Sequence, residues 1–220
     1  MTSLFDVPRS VSAIAPGAVH LPGWLDLDQQ RRIVAAVAAW RQGPVPPRAA
    51  ALPTGHRMSV ETLCLGWHWR PYRYTRTADD VNGARVLEVP EWLAGLGRQI
   101  LIDAHWNPTE AAGYRPDTAL VNYYPHGGRL GMHQDKDEKV DQPVVSLSVG
   151  DTGRFRFGNT HDRGKPYTDI ELLSGDAFVF GGPSRFVYHG VPATYPGTAD
   201  SATGLPRGRI NITMRMTGMA

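Results

Sequence analysis

Cysteine is almost missing from this chain. Cys64 stands alone, so no disulfide can form within the chain. That excludes a disulfide-stapled fold and fits a reducing compartment. Lysine is nearly as scarce: Lys136, Lys139 and Lys165 are the only three among 23 basic residues. Coding bias is the plainer source of that skew. The functional source is anion recognition, since the arginine fork matches phosphate and carboxylate. Long apolar runs are lacking too. The longest, Ile33 to Trp40, is far too short to span a bilayer. The N-terminus has no basic-then-apolar leader pattern. The expectation is a soluble, cytoplasmic protein with no membrane partner, and monomeric because nothing suggests an obligate dimer. A net charge of +2 selects no partner. Internal repeats and low-complexity tracts are absent.

What is present suits one domain with a real core: 220 residues, 41% of them apolar. Residues 1–23 read as irregular, with Pro8, Pro16, Gly17 and Pro22. Residues 26–42 read as an amphipathic helix. Asp26 or Asp28 caps it, and Ile33, Val34, Val37 and Trp40 form its apolar stripe. Residues 48–76 are polar, basic and aromatic, and residues 90–106 fit a second helix. After residue 117 the texture changes to short alternating or apolar runs between glycine-rich turns. Strands are expected at 119–124, 129–133, 143–149, 154–157, 168–173, 176–181, 185–191 and 209–216. The fold class is therefore mostly β with flanking helices (α+β), built on a jelly-roll core, a double-stranded β-helix. Residues 1–220 form one domain: an N-terminal extension and helix over about 1–47, a lid over 48–76, and the core over 117–216.

His133-Gln134-Asp135 ends one expected strand. Side chains alternate faces along a strand, so His133 and Asp135 aim at one point while Gln134 points away. An imidazole and a carboxylate need one more histidine to make the facial triad of non-haem iron oxygenases. His189, after Arg185-Phe186-Val187-Tyr188 and before Gly190, is the candidate. Alone, H-x-D is a weak motif, and any of the eight histidines can be a plain surface or core residue.

Residues 209–216 add weight. Ile210, Ile212, Met214 and Met216 alternate strictly with Arg209, Asn211, Thr213 and Arg215. By pattern alone this is an edge strand with a solvated polar face. If the polar face points inward, two buried guanidiniums need anionic partners. Their α-carbons lie about 20 Å apart at strand spacing. One arginine can then hold the far carboxylate of a small dicarboxylate while the other works near the metal.

These stretches carry a resemblance. Asn122-Tyr-Tyr124, His133-Gln-Asp-Lys-Asp137-Glu138, Tyr188-His-Gly190 and Arg209-x-Asn-x-Thr-x-Arg215, in this order, resemble the bacterial branch of the AlkB-type iron and 2-oxoglutarate dioxygenases. The likeness covers about residues 119–216. It implies Fe(II), 2-oxoglutarate and molecular oxygen as metal and co-substrates, and oxidative dealkylation of nucleic-acid bases. The catalytic metal ligands would be His133, Asp135 and His189. The 2-oxoglutarate contacts would be Asn122, Tyr124, Arg209, Asn211 and Arg215. Substrate contacts would come from Trp67 or Trp69, from Tyr72 or Tyr74, and from Asp137 and Arg163. Trp67, by register, would stack on the damaged base opposite His133, and Asp137 would read its edge. The implied partner is alkylated DNA, single- or double-stranded, with RNA as a second class.

The chain departs from the bacterial pattern between Met58 and Trp67 and just after it, where it is shorter. It also has a larger loop over 197–206. Arginines interleaved with Trp67, Trp69, Tyr72 and Tyr74 suit a single-strand binder, and equally a half-buried surface hairpin. Three rivals remain: the same chemistry on RNA, protein or a metabolite; a non-enzymatic metal-binding jelly roll; and a zinc hydrolase. The last lacks an obvious general base beside the triad.

Overall fold

A computed structural model describes residues 9–51, 55 and 57–219. A hairpin, β1 (Ser12–Ala15) and β2 (Ala18–Leu21), leads into α1 (Leu27–Trp40). Then follow β3 (Arg48–Ala51), β4 (Arg57–Leu65), β5 (His68–Arg70) and β6 (Arg73–Thr75), and the helices α2 (Glu91–Asp103) and α3 (Pro108–Gly113). The rest is strand: β7 (Thr118–Tyr124), β8 (Leu130–His133), β9 (Val144–Gly150), β10 (Thr152–Phe157), β11 (Thr168–Leu172), β12 (Ala177–Phe180), β13 (His189–Tyr195) and β14 (Arg209–Arg215).

The strands form an eight-stranded sheet, β1-β2-β12-β9-β14-β7-β4-β3, and a four-stranded sheet, β11-β10-β13-β8. Phe155, Phe157, Phe178, Phe180 and Val191 fill much of the space between them. This is the expected jelly-roll layering, with α1 and α2 on the outer face of the large sheet. Helix α1 starts at Asp26, whose side chain accepts from the Gln29 amide while the Gln29 side chain accepts from the Asp26 amide. Its stripe of Ile33, Val37 and Trp40 packs in one cluster with Leu93, Ile100 and Leu101 of α2 and with Ile210, Ile212 and Met214 of β14. Gly97 allows α2 to lie this close, because a Cβ there would meet Tyr114 Cε1 at 2.9 Å.

Burial of Ile210, Ile212 and Met214 against the helices settles which way the cationic strand faces. A one-residue slip would put the arginines into the helix layer. The register forbids it: β14 pairs without a break against β7, from Arg209 opposite Tyr124 to Arg215 opposite Thr118.

Three expectations need correction. Residues 1–23 are not irregular throughout, since β1 and β2 extend the large sheet. The strand expected at 185–191 begins only at His189. Gly182–Ser184 form a 3₁₀ turn, and the Val187 amide donates to the Ser184 carbonyl. Residues 48–76 are not one overlying lid either. β4 pairs with β7 inside the large sheet, and only β5 and β6 form a separate hairpin.

Candidate metal and anion centre

His133 and His189 sit opposite each other where β8 pairs with β13, and Asp135 follows two residues after His133. Their ligand atoms lie within 4.8 Å of one another. His133 Nε2 is 3.5 Å from Asp135 Oδ1, and His189 Nε2 is 3.7 Å from Asp135 Oδ2. Each imidazole uses its other nitrogen locally. His133 Nδ1 meets the Gly131 carbonyl at 2.9 Å, and His189 Nδ1 meets the Val187 carbonyl at 3.0 Å. A carbonyl only accepts, so Nδ1 carries the proton and the Nε2 lone pair points to the shared centre. Gln134 turns outward, as alternation requires, and donates to the Phe186 carbonyl at 2.7 Å.

The charges suit a cation at this point. Burial lowers the His189 pKa to about 4, aided by the neighbouring His133, so the imidazole is neutral near pH 7. Burial pushes the Asp135 carboxyl up, but Arg215, His189 and His133 outweigh it and hold it ionised, well below the usual carboxylate range. Asp135 Oδ2 is buried without an aligned hydrogen-bond donor. Two imidazole nitrogens and a buried carboxylate fit Fe(II).

The inner face of β14 runs away from this centre. Asn122, Tyr124, Arg209, Asn211, Thr213 and Arg215 line one cavity with the triad. The two arginines have different situations. Arg215 is met by Asp135 at 2.8 Å and Glu138 at 3.2 Å. Arg209 has no carboxylate partner among the described residues: it donates to Ser148 Oγ at 2.7 Å and to the Leu172 carbonyl at 3.0 Å, and its Nε is buried without an acceptor. So only Arg209 asks for an outside anion. Gly153 makes room for it, since a Cβ there would stand 2.9 Å from Arg209 Nε. Tyr124 lies opposite Arg209, its hydroxyl pushed up to about 12 by burial, so it stays a donor. Asn122 Oδ1 accepts from Thr62, and Asn211 Nδ2 donates to Ser146.

The expected substrate residues divide. Trp69 donates from Nε1 to Asp137 Oδ2 at 2.8 Å, which ties β5 to the segment just after the triad. Trp67, which the register favoured, is instead buried, with the Arg76 guanidinium 3.8 Å from its ring centre. Its ring is packed rather than open to a base. Tyr74 is also buried and bonds Glu138 at 2.6 Å, whereas Tyr72 is 73% exposed at the hairpin tip. Arg163 is exposed in the loop between β10 and β11.

Two residues were not singled out from the sequence. Glu138 lies buried between Arg185, at 2.9 Å, and Arg215. Arg185 also donates to the Asp135 backbone carbonyl, so it fixes the triad from behind. Glu138 ends the H-Q-D-K-D-E run, the only signal that pointed to it.

Known proteins are similar to this chain over most of its length. The model of the 2OG-Fe(II) oxygenase superfamily matches residues 17–215. An Alpha-ketoglutarate-dependent dioxygenase AlkB homolog of Caulobacter vibrioides is 36% identical over 92% of this chain and 88% of its own length. AlkB of Escherichia coli strain K12 is 35% identical over 79% of this chain and 78% of its own. The DNA N(6)-methyladenine demethylase ALKBH1D of Arabidopsis thaliana is 31% identical over 96% of this chain, which spans 51% of that protein. The solved structure of OsALKBH1 superposes with a TM-score of 0.83 at 31% identity, covering 94% of this chain and 99% of that one. With the triad and the carboxylate-free Arg209 both inside the matched residues 17–215, this chain belongs to the AlkB family within the 2OG-Fe(II) oxygenase superfamily.

Proposed function

We propose that the chain removes alkyl groups from nucleic-acid bases by oxidation, with Fe(II), oxygen and 2-oxoglutarate, in repair of alkylated DNA. The carrying observation is the cavity that holds His133, Asp135 and His189 at one end and the carboxylate-free Arg209 at the other. Iron bound there supplies the oxidising chemistry, paid for by decarboxylating 2-oxoglutarate to succinate. His133, Asp135 and His189 hold the metal. Arg209 and Tyr124 hold the distal carboxylate and set the co-substrate's direction. Asn122 and Asn211 stand between the two ends. Hydroxylation of the alkyl carbon leaves a product that releases an aldehyde, formaldehyde from a methyl group.

The base side rests on the hairpin. Stacking on the base is assigned to Trp69, which is half-buried where Trp67 is buried. Trp69 occupies only one oxygen of Asp137, so the other is left to draw an exocyclic amine or a cationic alkylated ring. Names of relatives support nucleic acid as the substrate class: the Arabidopsis relatives as DNA demethylases, and an ALKB1 of Pyricularia oryzae as an N6-methyladenosine RNA demethylase. Single-stranded DNA is the favoured form, because a single exposed tyrosine at the tip and a short hairpin suit an already unpaired base. The test offers methylated single-stranded DNA, duplex DNA and RNA in parallel. Loss of methyl groups fastest from the single strand supports the reading; 2-oxoglutarate turnover with every methyl group intact overturns it.

No helix of the described residues is long and apolar enough to cross a membrane.

A further inference from the structure

Trp69 and Tyr74 are directly opposite each other in the β5–β6 hairpin. They grip consecutive residues of the metal segment: Trp69 holds Asp137 at 2.8 Å, and Tyr74 donates to Glu138 Oε1 at 2.6 Å. The Tyr74 hydroxyl also accepts from Arg215 Nη1 at 3.0 Å. Arg215 then reaches Asp135 Oδ2 with Nη2 at 2.8 Å. A single guanidinium thus separates the hairpin from a triad carboxylate. The group is buried, with side-chain exposures of 7% for Arg215, 1% for Glu138 and 3% for Asp135. Water does not readily replace a lost partner there.

We propose that Tyr74 is a positioning residue that couples the hairpin to the metal centre, holding Trp69 in register while bracing Arg215 against Asp135. The coupling rests on the proposed function only for the identity of the substrate. Its physical basis is competition. A metal cation on Asp135 weakens that carboxylate's pull on Arg215, which then relies more on Glu138 and Tyr74. Metal loading therefore tightens the hairpin, and opening the hairpin strips Arg215 of one acceptor and Glu138 of one donor. The resemblance implied Tyr72 or Tyr74 as a substrate contact; Tyr74 is buried and takes its place in this clamp.

Tyr74→Phe removes the hydroxyl and keeps the ring. Amide hydrogen exchange over residues 68–75 is compared in the full-length wild type and variant, metal-free and with Mn(II) plus a non-reactive 2-oxoglutarate analogue. In the variant, exchange should rise by about tenfold, the worth of one hydrogen bond to a charged group. Mn(II) and analogue should slow exchange in the wild type and not in the variant. KM for a methylated single-stranded oligonucleotide should rise more than kcat falls. Wild-type exchange in Tyr74→Phe, or equal slowing by Mn(II) in both proteins, overturns the coupling. If the wild type leaves methylated bases untouched, the substrate reading fails, and the exchange comparison still decides the coupling.

Discussion

Arg215 Nη2 stands 2.8 Å from Asp135 Oδ2, so a triad carboxylate meets its counter-charge on the last strand of the core. The pair keeps Asp135 ionised before any metal arrives. Replacing Arg215 by Met would leave Asp135 buried without its guanidinium and Glu138 with Arg185 alone. Breaking such a buried pair costs about 3–5 kcal/mol. Chemical denaturation of the metal-free protein should show this loss, with added metal recovering part of it. Unchanged stability would mean the carboxylates are reached by water.

Arg209 should govern the co-substrate and not the metal. Gly153→Ala probes this without replacing the arginine itself. The new Cβ at 2.9 Å forces Arg209 Nε to shift. A small misplacement of a positioning group can cost on the order of a hundredfold, so KM for 2-oxoglutarate should rise ten- to a hundredfold. Metal affinity, measured by titration with Mn(II), should hold. Equal losses of both would place Arg209 in the metal site.

The two tryptophans should separate cleanly. Trp69→Ala removes the ring tied to Asp137 and should weaken oligonucleotide binding by about 1–3 kcal/mol, the worth of one stacked base. Trp67→Ala should act on stability instead, by about 3–5 kcal/mol for a buried tryptophan. Fluorescence anisotropy and thermal melts of both variants check this. The reverse pattern would return Trp67 to the stacking role that the register favoured.

Asp176 supplies an acid-dependent part of stability. It is fully buried, bonded to Arg9 and His20 at 2.7 and 2.9 Å and to the Gly23 and Leu173 amides. Burial raises its carboxyl, but His20, Arg9 and those amides outweigh it and lower the pKa below the ordinary value of 3.8. The unfolded chain therefore binds the proton more readily. The contribution is present above the unfolded value and lost as pH falls through the folded one. Asp176→Asn should lower stability at pH 7 and flatten the stability curve below about pH 4. A variant that keeps the wild-type acid slope would contradict this.

Sequence and structure agree where pattern is local. The alternation of β14 and the His133-x-Asp135 spacing needed only the period of a strand, but β14 lies between β9 and β7 with its arginines buried, not at an edge with a solvated polar face as pattern alone favoured. Asp26 and the stripe of Ile33, Val37 and Trp40 define α1 in the same way. What escaped was long-range. Glu138 and Arg185 are 47 residues apart, and no local pattern marks them as partners. Residues 185–188 have strand-like composition, yet Arg185 is drawn into that ion pair and the backbone turns. Trp67 and Trp69 differ only in what folds over them, Arg76 for one and Asp137 for the other. Pro16 and Gly17 looked like breakers, and they are the turn between β1 and β2.

The most direct measurement follows succinate and repaired base together, in one reaction with Fe(II), oxygen, 2-oxoglutarate and methylated single-stranded DNA. The wild type should form about one succinate per methyl group removed, as coupled oxidation requires. His189→Ala should form neither, with its fold intact by circular dichroism. Methyl loss without succinate, or undiminished turnover in His189→Ala, would contradict the triad at the centre of the account.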